Sequence, residues 1–166
     1  ARAMLHRAAR TVLAGALAWL DQPWERETER LELLAQAHAA MGDIAQATTF
    51  REARYRMRPD ADSLSAWLEM LAESEKPSAY QAAQADAQLA QDPLAAAGLL
   101  AVIDDWKGIE AVFVASPGTI DGDAYYSLLP LAEGLERTGH ALGATLVYRA
   151  LLESILGRAR AKTYHH

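Results

Sequence analysis

Three arginines, Arg51, Arg54 and Arg58, stand at i, i+3 and i+7, a spacing that puts all three on one face of a helix. Guanidinium groups aligned in this way clamp carboxylate or phosphate oxygens through paired N–H donors. Arg56 lies among them, and Arg26 and Arg30 precede them. Against an anion site stand Glu52 within the run and Glu25, Glu27 and Glu29 ahead of it, which can pair with the arginines. A solvated, salt-bridged face is therefore the preferred reading, with anion or nucleic-acid binding through Arg51, Arg54 and Arg58 as the alternative. The formal net charge of −6 and pI near 5.3 also speak against a nucleic-acid partner.

Catalysis needs titratable groups that converge, and the remaining candidates are scattered. His38 sits on an otherwise apolar helix face with no second histidine one turn away, so it reads as an interior histidine with a hydrogen-bond partner. His140 follows a helix-ending glycine and reads as a turn residue. His165 and His166 are adjacent, and adjacent helix positions point about 100° apart, which is poor geometry for a shared metal. Asp104 with Asp105, and Asp121 with Asp123, are the acidic clusters at element ends. Asp-Gly-Asp lacks the longer ligand series of a calcium loop, and both clusters suit helix N-termini, where carboxylates accept free N–H groups. No phosphate loop, nucleophile elbow, dinucleotide fingerprint or His-Glu-x-x-His pattern occurs. Cysteine is absent, which removes disulfides and thiolate metal sites and favours a reducing compartment. The expectation is a protein with no catalytic residues, no metal and no cofactor.

These side chains must be positioned by helices. Alanine and leucine are abundant while valine and isoleucine are sparse, a bias toward helix over strand. Pro23, Pro59 and Pro93 divide the early chain into stretches of 36 and 34 residues, each reading as a pair of helices. A period in the thirties marks an α-helical repeat. Nine helices are expected, at about 2–20, 24–41, 44–57, from a cap at Asp62 or Ser63, from Pro77 to 91, 93–103, 106–115, 121–138 and 141–162. The inward faces predicted from three- and four-residue steps include Leu5, Ala9, Val12, Ala16 and Trp19 in the first helix, and Leu31, Leu34 or Ala35, and His38 in the second. Leu64, Trp67, Leu68 and Leu71 serve the fourth, and Tyr80, Ala83, Ala87 and Ala90 the fifth. Ala141, Ala144, Tyr148, Leu152, Ile155 and Ala159 serve the ninth. Gly42 and Gly139 are expected to close helices, with Asp43 capping the helix after Gly42. Pro130 predicts a kink, or a helix that starts near Leu128. Trp19, Trp24, Trp67 and Trp106 are expected to pack in cores, Trp24 and Trp106 with some exposure. The run Thr11–Leu20 is too short to span a bilayer, and the charged segment Glu25–Arg30 stands where a signal-peptide cleavage site would lie.

Residues 35–60 resemble the tetratricopeptide repeat: Gly42, Asp43, Ile44, Ala47 and Pro59 match its turn glycine, the two residues after it, its small second-helix alanine and its closing proline. Arg54 and Phe50 depart from that pattern, and a second echo occurs at Gly139, Ala144 and Tyr148. A broader likeness covers most of the chain. Leu142 to Leu152 and the ending Arg158-Ala-Arg-Ala-Lys-Thr-Tyr-His-His166 look like the C-terminal half of a bacterial family of uncharacterised proteins, a domain of unknown function. Pro93 to Ala96, Asp121-Gly122-Asp123 and Ala16 to Leu20 fit the same pattern. That resemblance implies an α-helical repeat fold and a longer parent protein, and it implies no activity.

The expected fold is all-α: antiparallel helix pairs stacked as a short right-handed solenoid in one domain, residues 1–166, pairing 24–58, 60–91, 93–115 and 121–162. The first helix of each pair would line a concave groove presenting Glu32, Gln36, Ser65, Glu69, Tyr125 and Glu133. The expected function is a non-enzymatic protein-interaction scaffold in a bacterial cytoplasm, taking a peptide or helix in that groove.

Overall fold

A computed structural model describes residues 11, 12, 14–18, 20 and 26–163, with side chains as far as Ala159. Helical positions between 11 and 20 form α1. They are followed by α2 (Glu27–Met41), α3 (Ile44–Met57), α4 (Ala61–Leu68), α5 (Lys76–Leu89), α6 (Pro93–Val102) and α7 (Trp106–Ala115). A 3-10 turn at Pro117–Thr119, α8 (Tyr125–Arg137) and α9 (Ala141–Thr163) complete the order. Among the described residues there is no strand, and the protein is all-α as its composition predicts. The chain forms two compact units that divide between Ala79 and Tyr80.

The first unit is organised by the α2–α3 hairpin. Gly42 takes a left-handed φ of 82°, which a side chain would strain. Its N–H donates to the Ala39 carbonyl at 3.0 Å, and the Asp43 N–H donates to the His38 carbonyl at 2.9 Å. These two bonds satisfy carbonyls left open at the end of α2, and the Asp43 carboxylate caps α3 by accepting from the Gln46 N–H at 3.3 Å. The chain reverses, and Leu31, Leu34, Ala35 and Ala37 are buried on α2, with Ala47 and Tyr55 on α3 packed against it. On α1, Leu20 is buried, whereas Val12 and Ala16, expected to face inward, are exposed. The expected positions Leu5, Ala9, Trp19 and Trp24 lie outside the described residues.

The cap of α4 is Asp60, not Asp62 or Ser63. Asp60 follows Pro59 in extended backbone, so its carboxylate accepts the Ser63 N–H at 2.8 Å while the Ser63 hydroxyl accepts the Asp60 N–H at 3.3 Å. This reciprocal pair satisfies two donors at once and starts the helix immediately after the proline. Leu64, Trp67 and Leu68 are buried, and Trp67 stacks on Tyr55 with ring centroids 5.4 Å apart. The helix ends at Leu68, so Leu71 falls beyond it and is half-buried.

In α5, Ala79, Ala83 and Ala87 are buried, whereas Tyr80, expected on that face, is exposed. Asp92 caps α6 by accepting the Leu94 N–H at 3.0 Å, with Pro93 in the first turn where its missing N–H costs nothing. Asp105 caps α7 through the Gly108 N–H at 2.9 Å. Asp121 does not cap α8. Its carboxylate accepts the N–H of Asp123 at 3.0 Å, which makes Asp121-Gly122-Asp123 a turn, and the helix starts at Tyr125 and runs through Pro130. The expected start near Leu128 is thereby moved three residues earlier, to Tyr125. Gly139, at φ 85°, closes α8 as expected, its N–H bonded to the Glu136 carbonyl and the His140 N–H to that of Leu135.

The long α9 packs against α7 and α8 through Gly143, Ala144, Val147 and Leu151. The expected stripe is corrected: Ala144 is buried and Tyr148 half-buried, but Ala141, Leu152, Ile155 and Ala159 are exposed. Leucines and alanines occur on several faces of α9, so period alone does not select one, and the smallest side chains decide. A Cβ on Gly143 would lie 3.2 Å from the Cα of Glu110. At Gly134 it would come within 2.2 Å of the Trp106 ring, and at Gly122 within 2.1 Å of the Ala150 carbonyl oxygen.

Candidate functional site

The α2–α3 turn and the Asp60 cap together set an open cleft of about 370 Å³ in the first unit. Its walls carry Glu29 and Glu32 from α2, Arg51 and Arg54 from α3, and Asp62 and Ser63 from α4. Two of the three expected arginines meet here. Arg51 donates through Nη1 to the Glu32 carboxylate, joining α3 to α2. Arg54 Nη2 lies 3.0 Å from Asp60 Oδ2, and its Nη1 donates to the Arg58 carbonyl at 3.1 Å. Arg58 is separated from them because it leaves the helix as its C-terminal cap, with extended backbone and an exposed side chain. Outside the cleft, Arg56 pairs with Glu52 at 3.5 Å, and its guanidinium lies 5.6 Å from the centre of the Trp67 ring.

Sequence reasoning expected carboxylates at 25, 27, 29 and 52 to neutralise the arginines. Glu52 does so for Arg56, while Glu27 and Glu29 pair with Arg30 and Arg26. Arg51 and Arg54 instead take Glu32 and Asp60, which the hairpin and the proline turn bring to them. Partial burial pushes the Asp60 carboxyl up. The hydrogen bonds from Ser63 and Arg54, with the Arg54 charge, outweigh it and hold the group below the usual aspartate range.

Of the expected groove residues, Glu32 lines this cleft and accepts a hydrogen bond from Gln36 Nε2 at 2.7 Å on the same helix. Ser65 is half-buried on α4, and Glu69 is the exposed residue that ends that helix. Tyr125 and Glu133 belong to the second unit, both exposed on α8. His38 is half-buried, with its ring 5.3 Å from Phe50 and Nδ1 3.2 Å from Asp43 Oδ2. That partner lies off the α2 face, because the Gly42 turn folds Asp43 back onto the end of α2.

The second unit contains a polar linkage that no sequence signal marks. Glu110 on α7 accepts at one oxygen from the Gly143 N–H at 3.1 Å, while its other oxygen lies 3.0 Å from His140 Nδ1. The contact with His140, then the Gly143 N–H, holds the Glu110 carboxyl below the usual glutamate range. Gly143 is what allows this approach. Nearby, Tyr148 donates to Glu136 at 3.1 Å, and burial, reinforced by Glu136 and Glu133, pushes its phenol up. Asp123 accepts from the Ser154 hydroxyl and lies 3.8 Å from Arg158, tying the turn before α8 to α9. His165, His166 and the side chains of Arg160 and Lys162 lie outside the described residues.

Among the described residues, no cluster of three or more His, Asp or Glu is placed to hold a metal ion, and no helix is long and apolar enough to cross a membrane. What the fold and cleft define is an all-α protein whose charged side chains are arranged in pairs and caps. More particularly, the chain belongs to a family of unknown function, DUF6880, whose model matches residues 3–166. No curated protein and no solved structure matches it.

Proposed function

We propose that the chain is a non-enzymatic protein-interaction module that takes a peptide segment carrying both charge signs in the α2–α3–α4 cleft. The observation that carries the reading is the lining of that cleft, where guanidinium groups of Arg51 and Arg54 stand beside carboxylates of Glu29, Glu32 and Asp62. A surface of this kind exchanges internal ion pairs for intermolecular ones, so it favours a partner whose charges alternate over a uniformly anionic one. The tetratricopeptide-like character of the α2–α3 hairpin is part of the proposal, supported by Gly42, Asp43 and Ala47 in their turn and packing positions. A bacterial cytoplasm is part of the proposal, and the absence of cysteine suits a reducing compartment of that kind.

The test is selection of binders from a random peptide library, followed by affinity measurement on cleft variants. Glu32→Lys and Arg51→Glu should each weaken a selected peptide about tenfold or more, while Arg56→Glu outside the cleft leaves it unchanged. Failure to select any binder, or equal affinity across the variants, removes the reading. Binding of inorganic polyphosphate with a steep salt dependence, lost in Arg51→Glu, would favour the anion site instead.

A further inference from the structure

The face of α9 that turns away from α7 and α8 carries a heptad pattern. Leu142, Thr145, Arg149, Leu152, Leu156 and Ala159 follow one another at steps of three, four, three, four and three, and all six are exposed. Leu142, Leu152 and Leu156 keep 57%, 58% and 56% of their surface open to solvent. Such a repeat lines up as a seam along one side of a helix, and a seam of exposed leucines is the surface that a second helix covers in a coiled coil.

The charges along the seam select the occupant. In a parallel pairing of two copies, Arg149 would face Arg149. In an antiparallel pairing Leu142 meets Ala159, Thr145 meets Leu156, and Arg149 meets Leu152 with its guanidinium beside Glu153 of the second copy. Every leucine then faces a small side chain or the stem of Arg149, which lets the helices approach closely. Arg149 and Glu153 already pair within one chain at 2.7 Å, so pairing between copies exchanges one ion pair for an equivalent one. A two-fold interface requires this self-complementarity, residue i meeting j and j meeting i.

We infer that α9 is a homodimerisation helix that docks antiparallel on α9 of a second copy of this chain. The expected result in analytical ultracentrifugation of the full chain is a concentration-dependent dimer. Leu152→Glu should raise the dimer dissociation constant by about 100-fold or more. Arg149→Glu and Glu153→Arg should each weaken the dimer, and the double variant R149E/E153R should restore it, because the exchanged charges again face opposite partners. These side chains are exposed, and far-ultraviolet circular dichroism of each variant checks that the fold is kept. The chain has no cysteine, so a further variant reads the register directly. T145C/L156C should form an intermolecular disulfide under mild oxidation, while neither single substitution does. A chain that stays monomeric at high concentration overturns the inference. So does a dimer indifferent to Leu152→Glu, or one cross-linked by Thr145→Cys alone.

Discussion

Beyond its own apolar core, each unit joins its neighbouring segments by a different means. In the first, oppositely charged side chains join neighbouring helices: Arg51 reaches from α3 to Glu32 on α2, and Arg54 reaches past the end of its helix to the Asp60 cap. In the second, neighbouring segments approach until only glycine fits, as at Gly134 of α8 against the Trp106 ring and Gly122 of the preceding turn against the Ala150 carbonyl of α9. Ion pairs near a surface are weak, and salt screens them. Tight packing is insensitive to salt but intolerant of a single added methyl group. The contrast teaches where each unit accepts change. Charge can be altered in the first with modest loss and a chance of altered recognition, whereas the glycine contacts of the second are fixed by volume.

The sharpest way to break that comparison is Gly134→Ala. Its methyl group would overlap the Trp106 ring, and the expected loss is about 2–3 kcal/mol in urea unfolding. A neutral result would show that Trp106 swings aside, and the packing account of the second unit would fall. Next in size is Asp60→Ala in the first unit, which removes the reciprocal cap of α4 and the partner of Arg54 together, expected at about 1–2 kcal/mol. Smaller is the coupling between Arg51 and Glu32. A double-mutant cycle should give about 0.5–1 kcal/mol, shrinking as salt is raised, whereas the Gly134→Ala loss should not change with salt. A coupling that is flat in salt would blur the distinction between the units.

The pH response supplies the smallest effect. Glu110 is held below the ordinary glutamate value of 4.5, so in the folded chain it stays ionised at acidities that protonate it in the unfolded chain. Its contribution is complete above the unfolded value and disappears as pH falls through the folded one. Glu110→Gln should therefore flatten the acid limb of stability below about pH 4.5 and leave the salt response of the first unit untouched. Acid unfolding curves that superimpose for the two chains would mean that the Glu110 linkage carries no stability.

Local chemistry made much of the fold legible. The Asp92-Pro93 and Asp105-Trp106 junctions start helices where their residues say they should, and Gly42 and Gly139 end them by taking backbone that other residues resist. What was hidden depends on contacts between distant positions. Glu110 and His140 are thirty residues apart and carry no motif, and Glu32 becomes the partner of Arg51 only once the hairpin has closed. The inward face of α9 was misread because its leucines and alanines are spread around the helix, and the choice lies with Gly143 and Ala144 pressing on α7. The cap at Asp60 was displaced for a subtler reason. Asp62 and Ser63 have equal propensity, and the extended backbone next to Pro59 breaks the tie.

The left-handed Gly42 has a consequence for the order of events in folding. The hairpin it closes joins helices adjacent in sequence, so its contacts cost little loop-closure entropy and suit early formation. Replacing Gly42 with alanine strains the turn itself, and if the hairpin is the nucleus, the strain is felt before the barrier. The refolding rate should then fall while the unfolding rate hardly moves, a φ-value near one in stopped-flow kinetics. The partner of Arg51 would then be in place early, and the mixed-charge cleft would be among the first surfaces the nascent chain presents.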